Sequence, residues 1–149
     1  KLWGVIPVRR EEVDRRAIRL ALNVLKSGES ILVAPEGTRS PALQPAKEGV
    51  AYLAARSGAA VVPVGISGTG GFPVFRTSPR WKEPGAQVVF GKPFRYKAEF
   101  RHAKGQQLSS MTREAMYQLA ALLPEKHRGV YADFENATRN TIEMLEEVL

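Results

Sequence analysis

The 149 residues contain no cysteine, which excludes a disulfide framework, a thiolate metal site and a cysteine nucleophile. No apolar run is long enough to cross a bilayer. The start, "KLWGVIPVRR", lacks the extended apolar region of a secretory signal. Histidine is scarce: there are two, His102 in "RHAKG" and His127 in "EKHRG". Both contexts are charged, so both histidines read as surface residues. Repeats, low-complexity tracts and convincing linkers are also missing, and the length suits one domain with one core. The chain opens without an initiator methionine and inside a structural element, so residues 1–149 read as a single, N-terminally incomplete domain.

What is abundant is positive charge. The formal net charge is +7 and the sequence pI about 10.0, a balance that favours an anionic partner such as a phosphate-bearing substrate, an acidic lipid surface or nucleic acid. Charge alone does not choose among them, and solubility explains it equally well. A basic nucleic-acid-binding domain is the weakest option, because no RNP pattern, zinc-finger spacing, Gly-x-x-Gly loop between suitable helices or basic cluster with stacking aromatics is present.

Apolar spacing organises the chain. "WGVIPV" (residues 3–8) reads as an edge strand or strand end. Residues 14–25 carry Ala17, Ile18, Ala21, Leu22 and Leu25 at helical spacing, with Gly28 as the stop. "SILVA" (residues 30–34) is short, branched and uninterrupted, as a covered strand is. A short helix is predicted over residues 49–56, with Val50, Leu53 and Ala54 inward and Gly58 ending it. "AAVVPVGI" (59–66) and "AQVVFG" (86–91) read as strands, and residues 108–123 as a helix. A last amphipathic helix is predicted over residues 133–149 from Phe134, Ala137, Thr141, Met144, Leu145 and Val148. The alternation implies an α/β fold with a mostly parallel or mixed sheet flanked by helices. In it "SILVA" and "AAVVPVGI" would be parallel neighbours joined by a right-handed crossover.

The turn "PEGTRS" (residues 35–40) directly follows "SILVA", where ligands of α/β proteins tend to sit. Gly37 permits a tight turn or a close approach. Arg39 can grip a phosphate with two parallel hydrogen bonds, and Thr38 and Ser40 offer hydroxyls. Glu36 could hold an arginine or accept from a substrate hydroxyl. A structural turn with an internal Glu–Arg pair accounts for the same residues. It is not a Walker loop, because the Gly-Lys-Ser/Thr ending is absent.

The turn resembles the third signature block of the glycerolipid acyltransferases, the family that includes 1-acyl-sn-glycerol-3-phosphate acyltransferase, with Ala34 in place of the usual phenylalanine. "GVIPVRR" (residues 4–10) resembles the second block, with Gly4 and Arg10 at the matching glycine and arginine. Lys47 and Gly49 match a frequent Lys-x-Gly, and "VVPVGI" (61–66) resembles the fourth block. The first block, His-x-x-x-x-Asp, has no counterpart: the fifth residue after His102 is Gln107, and after His127 it is Ala132.

The resemblance implies acyl transfer from acyl-CoA or acyl-carrier protein to the free hydroxyl of lysophosphatidic acid or a related lysophospholipid, in phospholipid biosynthesis. It implies no metal and no resident cofactor. Arg10 and Arg39 would bind the acceptor phosphate, and Gly4, Glu36, Gly37, Thr38 and Ser40 would shape the pocket. Arg9 is a weaker candidate, since consecutive strand residues face opposite ways; Lys47 could reach a phosphate or serve as a surface residue at a helix start. None of these residues is assigned the catalytic step, so this stretch by itself is expected to be inactive, with the histidine–aspartate pair upstream. A non-catalytic phosphate- or lipid-binding module is the alternative. The lipid substrates, together with Trp3, Phe72, Phe75 and Trp81 near loops of a basic chain, suggest peripheral membrane association on the cytoplasmic side.

Overall fold

The computed structural model describes residues 5–8, 14–38, 40–68 and 85–146. Three helices are seen: α1 (Arg15–Lys26), α2 (Gly49–Ser57) and α3 (Gln106–Ala120). The four short strands are β1 (Val64–Ser67), β2 (Gln87–Phe90), β3 (Phe94–Tyr96) and β4 (Ile142–Met144). Short 3₁₀ turns occupy Ala98–His102, Glu125–His127, Gly129–Tyr131 and Phe134–Asn136.

The helices follow the local chemistry closely. Asp14 caps α1, its Oδ1 accepting from the amides of Arg16 and Ala17 at 3.0 Å each, which satisfies donors that a helix start otherwise leaves open. Ala17 and Ala21 form its buried face. α2 ends at Gly58 in the left-handed conformation, and its buried residues are Ala51, Ala54 and Ala55. Val50 and Leu53 are only half-buried, so the helix turns its alanine face inward, where small side chains allow close approach.

The sheet differs from the expectation. Among the described residues there is no parallel sheet; there are two two-stranded antiparallel ones. β1 pairs with β2 (Val64 opposite Phe90, Ser67 opposite Gln87), and β3 pairs with β4 (Phe94 opposite Met144, Tyr96 opposite Ile142). Two backbone bonds between Val61 and Phe94, 2.8 and 3.0 Å, link the approach to β1 with β3. "SILVA" forms no ladder: residues 30–34 belong to no strand, Leu32 is 93% exposed and Val33 39%. An apolar, β-branched run records a capacity to pair, while pairing itself depends on what the tertiary structure lays alongside. The mostly parallel, helix-flanked sheet and the parallel neighbours are therefore corrected to a small α/β domain with two antiparallel pairs.

The core lies between α2, α3 and the β3–β4 pair. Phe94 and Met111 are fully buried, packed with Ala51, Ala54, Tyr96, Leu108 and Ile142. Phe94 and Tyr96 meet edge to face at 5.7 Å between ring centroids, the arrangement that ring quadrupoles favour. The Tyr96 hydroxyl donates to the Met111 carbonyl at 3.0 Å. Burial, and secondarily the Glu114 charge, raise its pKa above the ordinary phenol value.

The predicted last helix is the second correction. The chain instead makes a 3₁₀ turn at Phe134–Asn136 and then strand β4. Asp133 caps that turn, accepting from the Glu135 amide at 3.0 Å and the Asn136 side-chain amide at 2.6 Å. Glu114 then captures the next residues. Its Oε1 accepts from the Thr138 hydroxyl (2.6 Å) and the Asn140 amide (2.7 Å). Its Oε2 accepts from the Thr141 amide (2.9 Å) and hydroxyl (2.5 Å). Two of the four donors on this 2%-exposed carboxylate are backbone amides that a helix would direct to its own carbonyls. The β-branched Thr138, Thr141 and Ile142 tolerate the extended path well.

Burial pushes the Glu114 pKa upward, but those four bonds together outweigh it and hold the value below the ordinary 4.5. Because the folded value is depressed, the stabilisation is fully present above the unfolded value and is lost as pH falls through the folded one. Glu114→Gln is expected to cost about 2–3 kcal/mol at pH 7, since an amide NH₂ would face donors rather than accept from them. Urea unfolding at pH 7 and pH 3 checks this: the gap between wild type and variant shrinks at pH 3.

Candidate functional site

The "PEGTRS" turn is the start of a loop closed at its base. The Lys47 amide donates to the Pro35 carbonyl at 2.9 Å, and the Gly37 amide to the Ala34 carbonyl at 3.3 Å. Gly37 has φ +66°, a left-handed conformation costly for a side-chain-bearing residue. The Lys47 side chain lies across it: its Cε would be 3.6 Å and its Nζ 3.8 Å from a Cβ at position 37. An aliphatic stem thus covers the glycine, and the ammonium stands at the signature turn.

Glu36 accepts from the Gln44 amide at 2.7 Å, so one carboxylate oxygen ties the two limbs of the loop together. Ser40 Oγ is an acceptor for the Ala42 amide (3.5 Å) and the Gln44 side-chain amide (3.3 Å). Its own hydrogen remains a donor to whatever the loop faces. Thr38 is exposed. Gly4, Arg9, Arg10 and Arg39 lie outside the described residues, and with them the expected convergence of Arg10 and Arg39.

The loop docks onto a part of the chain that sequence reading left aside. Leu43 donates to the His127 carbonyl (3.0 Å) and accepts from the Val130 amide (3.2 Å). The Ala46 amide donates to the Tyr131 hydroxyl at 3.1 Å. The Leu43 side chain is buried among Met116, Tyr117, Leu123 and Tyr131. At the joint, Gly129 has φ +52°, and a Cβ there would stand 1.9 Å from the Leu43 carbonyl oxygen. Only hydrogen fits.

His127 is part of this joint. Its Nδ1 is 2.6 Å from the Pro41 carbonyl; a carbonyl only accepts, so Nδ1 carries the proton and Nε2 is the nitrogen left for other contacts. His102 is set the other way, with Nδ1 2.7 Å from Arg56 Nη1. Arginine only donates, so there the nitrogen is the acceptor. His102 lies with Arg56 and Tyr52, whose ring the guanidinium covers at 5.5 Å. The turn and the docked segment enclose an open cleft of about 530 Å³. Glu36, Ser40, Ser67, Lys126 and His127 supply its polar side chains; Ile66 and Leu123 are among its apolar walls. Lys126 and His127 had no signature to reveal them, because only the fold brings "EKHRG" against the turn.

Among the described residues no helix is long and apolar enough to cross a membrane. Nor does any group of three or more His, Cys, Asp or Glu side chains among them come together to hold a metal ion.

The acyltransferase family model matches residues 1–67, a stretch that includes the signature turn, Lys47 and β1. A chloroplastic 1-acyl-sn-glycerol-3-phosphate acyltransferase of Arabidopsis thaliana is 39% identical over 75 residues, 46% of this chain and 20% of that protein. Its chloroplastic counterpart from Brassica napus is 37% identical over 75 residues, 46% of this chain and 21% of that protein. The 1-acyl-sn-glycerol-3-phosphate acyltransferase of Bacillus subtilis is 28% identical over 121 residues, 80% of this chain and 57% of that protein. The chain thus spans about a fifth of the chloroplastic relatives and little more than half of the bacterial one. No solved structure matches it.

Gly129→Ala tests the joint that holds the loop. The Cβ must displace the Leu43 carbonyl and the left-handed backbone adds strain, so a loss of about 2–4 kcal/mol is expected. Thermal unfolding reads the loss. Amide exchange reads its location: Leu43 and Val130 lose protection while α2 keeps it. Over residues 1–67 this chain is similar to the acyltransferase family, and the relatives it matches are 1-acyl-sn-glycerol-3-phosphate acyltransferases.

Proposed function

We propose that the protein serves acyl transfer from acyl-CoA or acyl-carrier protein to the free hydroxyl of lysophosphatidic acid or a related lysophospholipid, in phospholipid biosynthesis. One observation carries the reading. The Pro-Glu-Gly-Thr-Arg-Ser turn lies in the stretch matched by the family; the bond from the Lys47 amide to the Pro35 carbonyl closes the loop at its base, with the Lys47 ammonium beside Gly37. The acceptor phosphate is a dianion near neutral pH. Arg39 and Arg10 are its assigned ligands, since guanidinium groups meet phosphate with paired, charge-assisted bonds. Gly4, Glu36, Gly37, Thr38 and Ser40 shape the pocket around it. Lys47 is an added cation at the turn, and Arg9 a lesser candidate.

The reacting hydroxyl needs a base held in one tautomer. The given sequence has no His-x-x-x-x-Asp block, and its two histidines are engaged by Arg56 and the Pro41 carbonyl. Acceptor recognition is therefore assigned to these 149 residues, and the deprotonation step is not. The lipid nature of acceptor and product, with the net charge of +7, supports peripheral membrane association, on the cytoplasmic side. A phosphate- or lipid-binding module without turnover is the second reading, favoured by the same missing block.

Calorimetry with short-chain lysophosphatidate tests acceptor recognition. Arg39→Ala is expected to weaken binding about tenfold or more, the loss of one charge-assisted contact; equal affinity would remove the reading. Incubated with labelled acyl-CoA and lysophosphatidate, the chain is expected to give no phosphatidate above background. Robust turnover abolished by His102→Gln would instead make that histidine the base.

A further inference from the structure

The cleft beside the signature turn brings together groups that neither the family match nor the motif spacing assigns. Lys126 and His127 lie far outside the matched residues 1–67, yet they line the same space as Glu36 and Ser40 of the turn. Their presence there is imposed by four contacts between the loop and residues 127–131: the two backbone bonds of Leu43, the His127–Pro41 bond and the Tyr131–Ala46 bond.

The polar lining is divided by chemistry. The donors among the lining residues are the Lys126 ammonium, the Ser40 and Ser67 hydroxyls, and His127 Nε2 when the ring is protonated. Ser40 Oγ already accepts from two amide groups of its own loop, which leaves donation as its outward role. Glu36 is the acceptor. One of its oxygens is used by the Gln44 amide, and the carboxylate repels an anion while receiving a hydroxyl. An inorganic oxyanion would use only the donors, and an uncharged polyol would leave the ammonium uncompensated. A phosphate monoester whose carbon skeleton bears a hydroxyl uses both. The apolar Ile66 and Leu123 walls accommodate its carbon portion, and a volume of about 530 Å³ suits a small-molecule head.

We propose that Lys126 and His127, delivered to the signature turn by the docked segment, bind the phosphate of a hydroxylated phosphate monoester in this cleft, with Ser40 as a third donor and Glu36 receiving the hydroxyl. The site deepens the acyl-acceptor reading and rests on it for its biological meaning, but its chemistry stands on the cleft. Two sources supply such a phosphate: the acceptor head, for which glycerol 3-phosphate stands, and the adenosine end of coenzyme A, for which adenosine 3′,5′-bisphosphate stands.

The test titrates the full chain, labelled at histidine, with each probe and with inorganic phosphate, following imidazole nitrogen shifts and calorimetric affinity. His127→Asn is the informative variant, because its side-chain amide can still donate to the Pro41 carbonyl while nothing replaces Nε2. Saturable shifts of His127 but not His102 are expected with at least one monoester, more weakly with inorganic phosphate. His127→Asn and Lys126→Met should each weaken binding about tenfold, with His102→Gln unchanged. The probe that binds more tightly names the source. The proposal is overturned if neither monoester moves His127, if inorganic phosphate binds as well as both, or if His127→Asn binds like wild type, which would make the histidine only a tie for the loop. Lysophosphatidate binding unaffected by both variants, with neither monoester moving His127, would remove this site and leave the acyltransferase reading intact. Monoester binding that depends on both residues, with lysophosphatidate not bound at all, would do the reverse.

Discussion

One buried carboxylate sets the path of the chain's final third. Glu114, 2% exposed on α3, receives four hydrogen bonds from residues 138–141. A carboxylate leaves water at a cost of several kcal/mol unless its lone pairs are met, and here each oxygen accepts twice. The bonds hold the chain extended as it reaches Ile142, where β4 meets β3. β3 in turn carries Phe94 and Tyr96 into the core against α2. Without the clamp, the segment before β4 would have to satisfy those amides and hydroxyls in another way, and the β3–β4 pair would lose its anchor to α3.

The same helix connects the core to the cleft. Its N-terminal half contributes Leu108 and Met111 to the packing around Phe94. Its C-terminal half contributes Met116, Tyr117 and Ala120 to the second cluster, where Leu43 of the signature loop is buried. Tyr117 and Tyr131 pack edge to face at 5.6 Å, and the Tyr131 hydroxyl accepts from the Ala46 amide of the loop. A loop rich in proline and small polar residues has little apolar area of its own, so its shape is borrowed from this scaffold. Gly129 sets the closeness of the joint, since its missing side chain is what lets two backbones meet.

The β1–β2 pair has a different character. Ile66, Val88 and Phe90 are exposed, as are Leu32 and Val33 of the unpaired "SILVA" run. Covered-strand composition and exposed position coincide in these segments. That composition prompted the parallel-sheet expectation, and among the described residues the strands meet antiparallel partners instead.

Local chemistry by itself determined α1, α2 and α3, because helix spacing, the Asp14 cap and the Gly58 stop act within a few residues. It also determined the β2 segment and the signature turn, whose Pro-Glu-Gly-Thr-Arg-Ser pattern carried the family resemblance that the comparisons support. Only the tertiary structure decided strand partners, because a strand's hydrogen bonds run to a neighbour that the sequence does not name. It overrode the helical periodicity of residues 133–149 through a carboxylate some 24 to 27 positions away. It also gave Glu36 a structural bond to Gln44 and brought His127, read as a surface residue, to the edge of the turn at a separation of 86 residues from Pro41. Contacts of that range leave no periodicity behind, and they decide which side chains share a cleft.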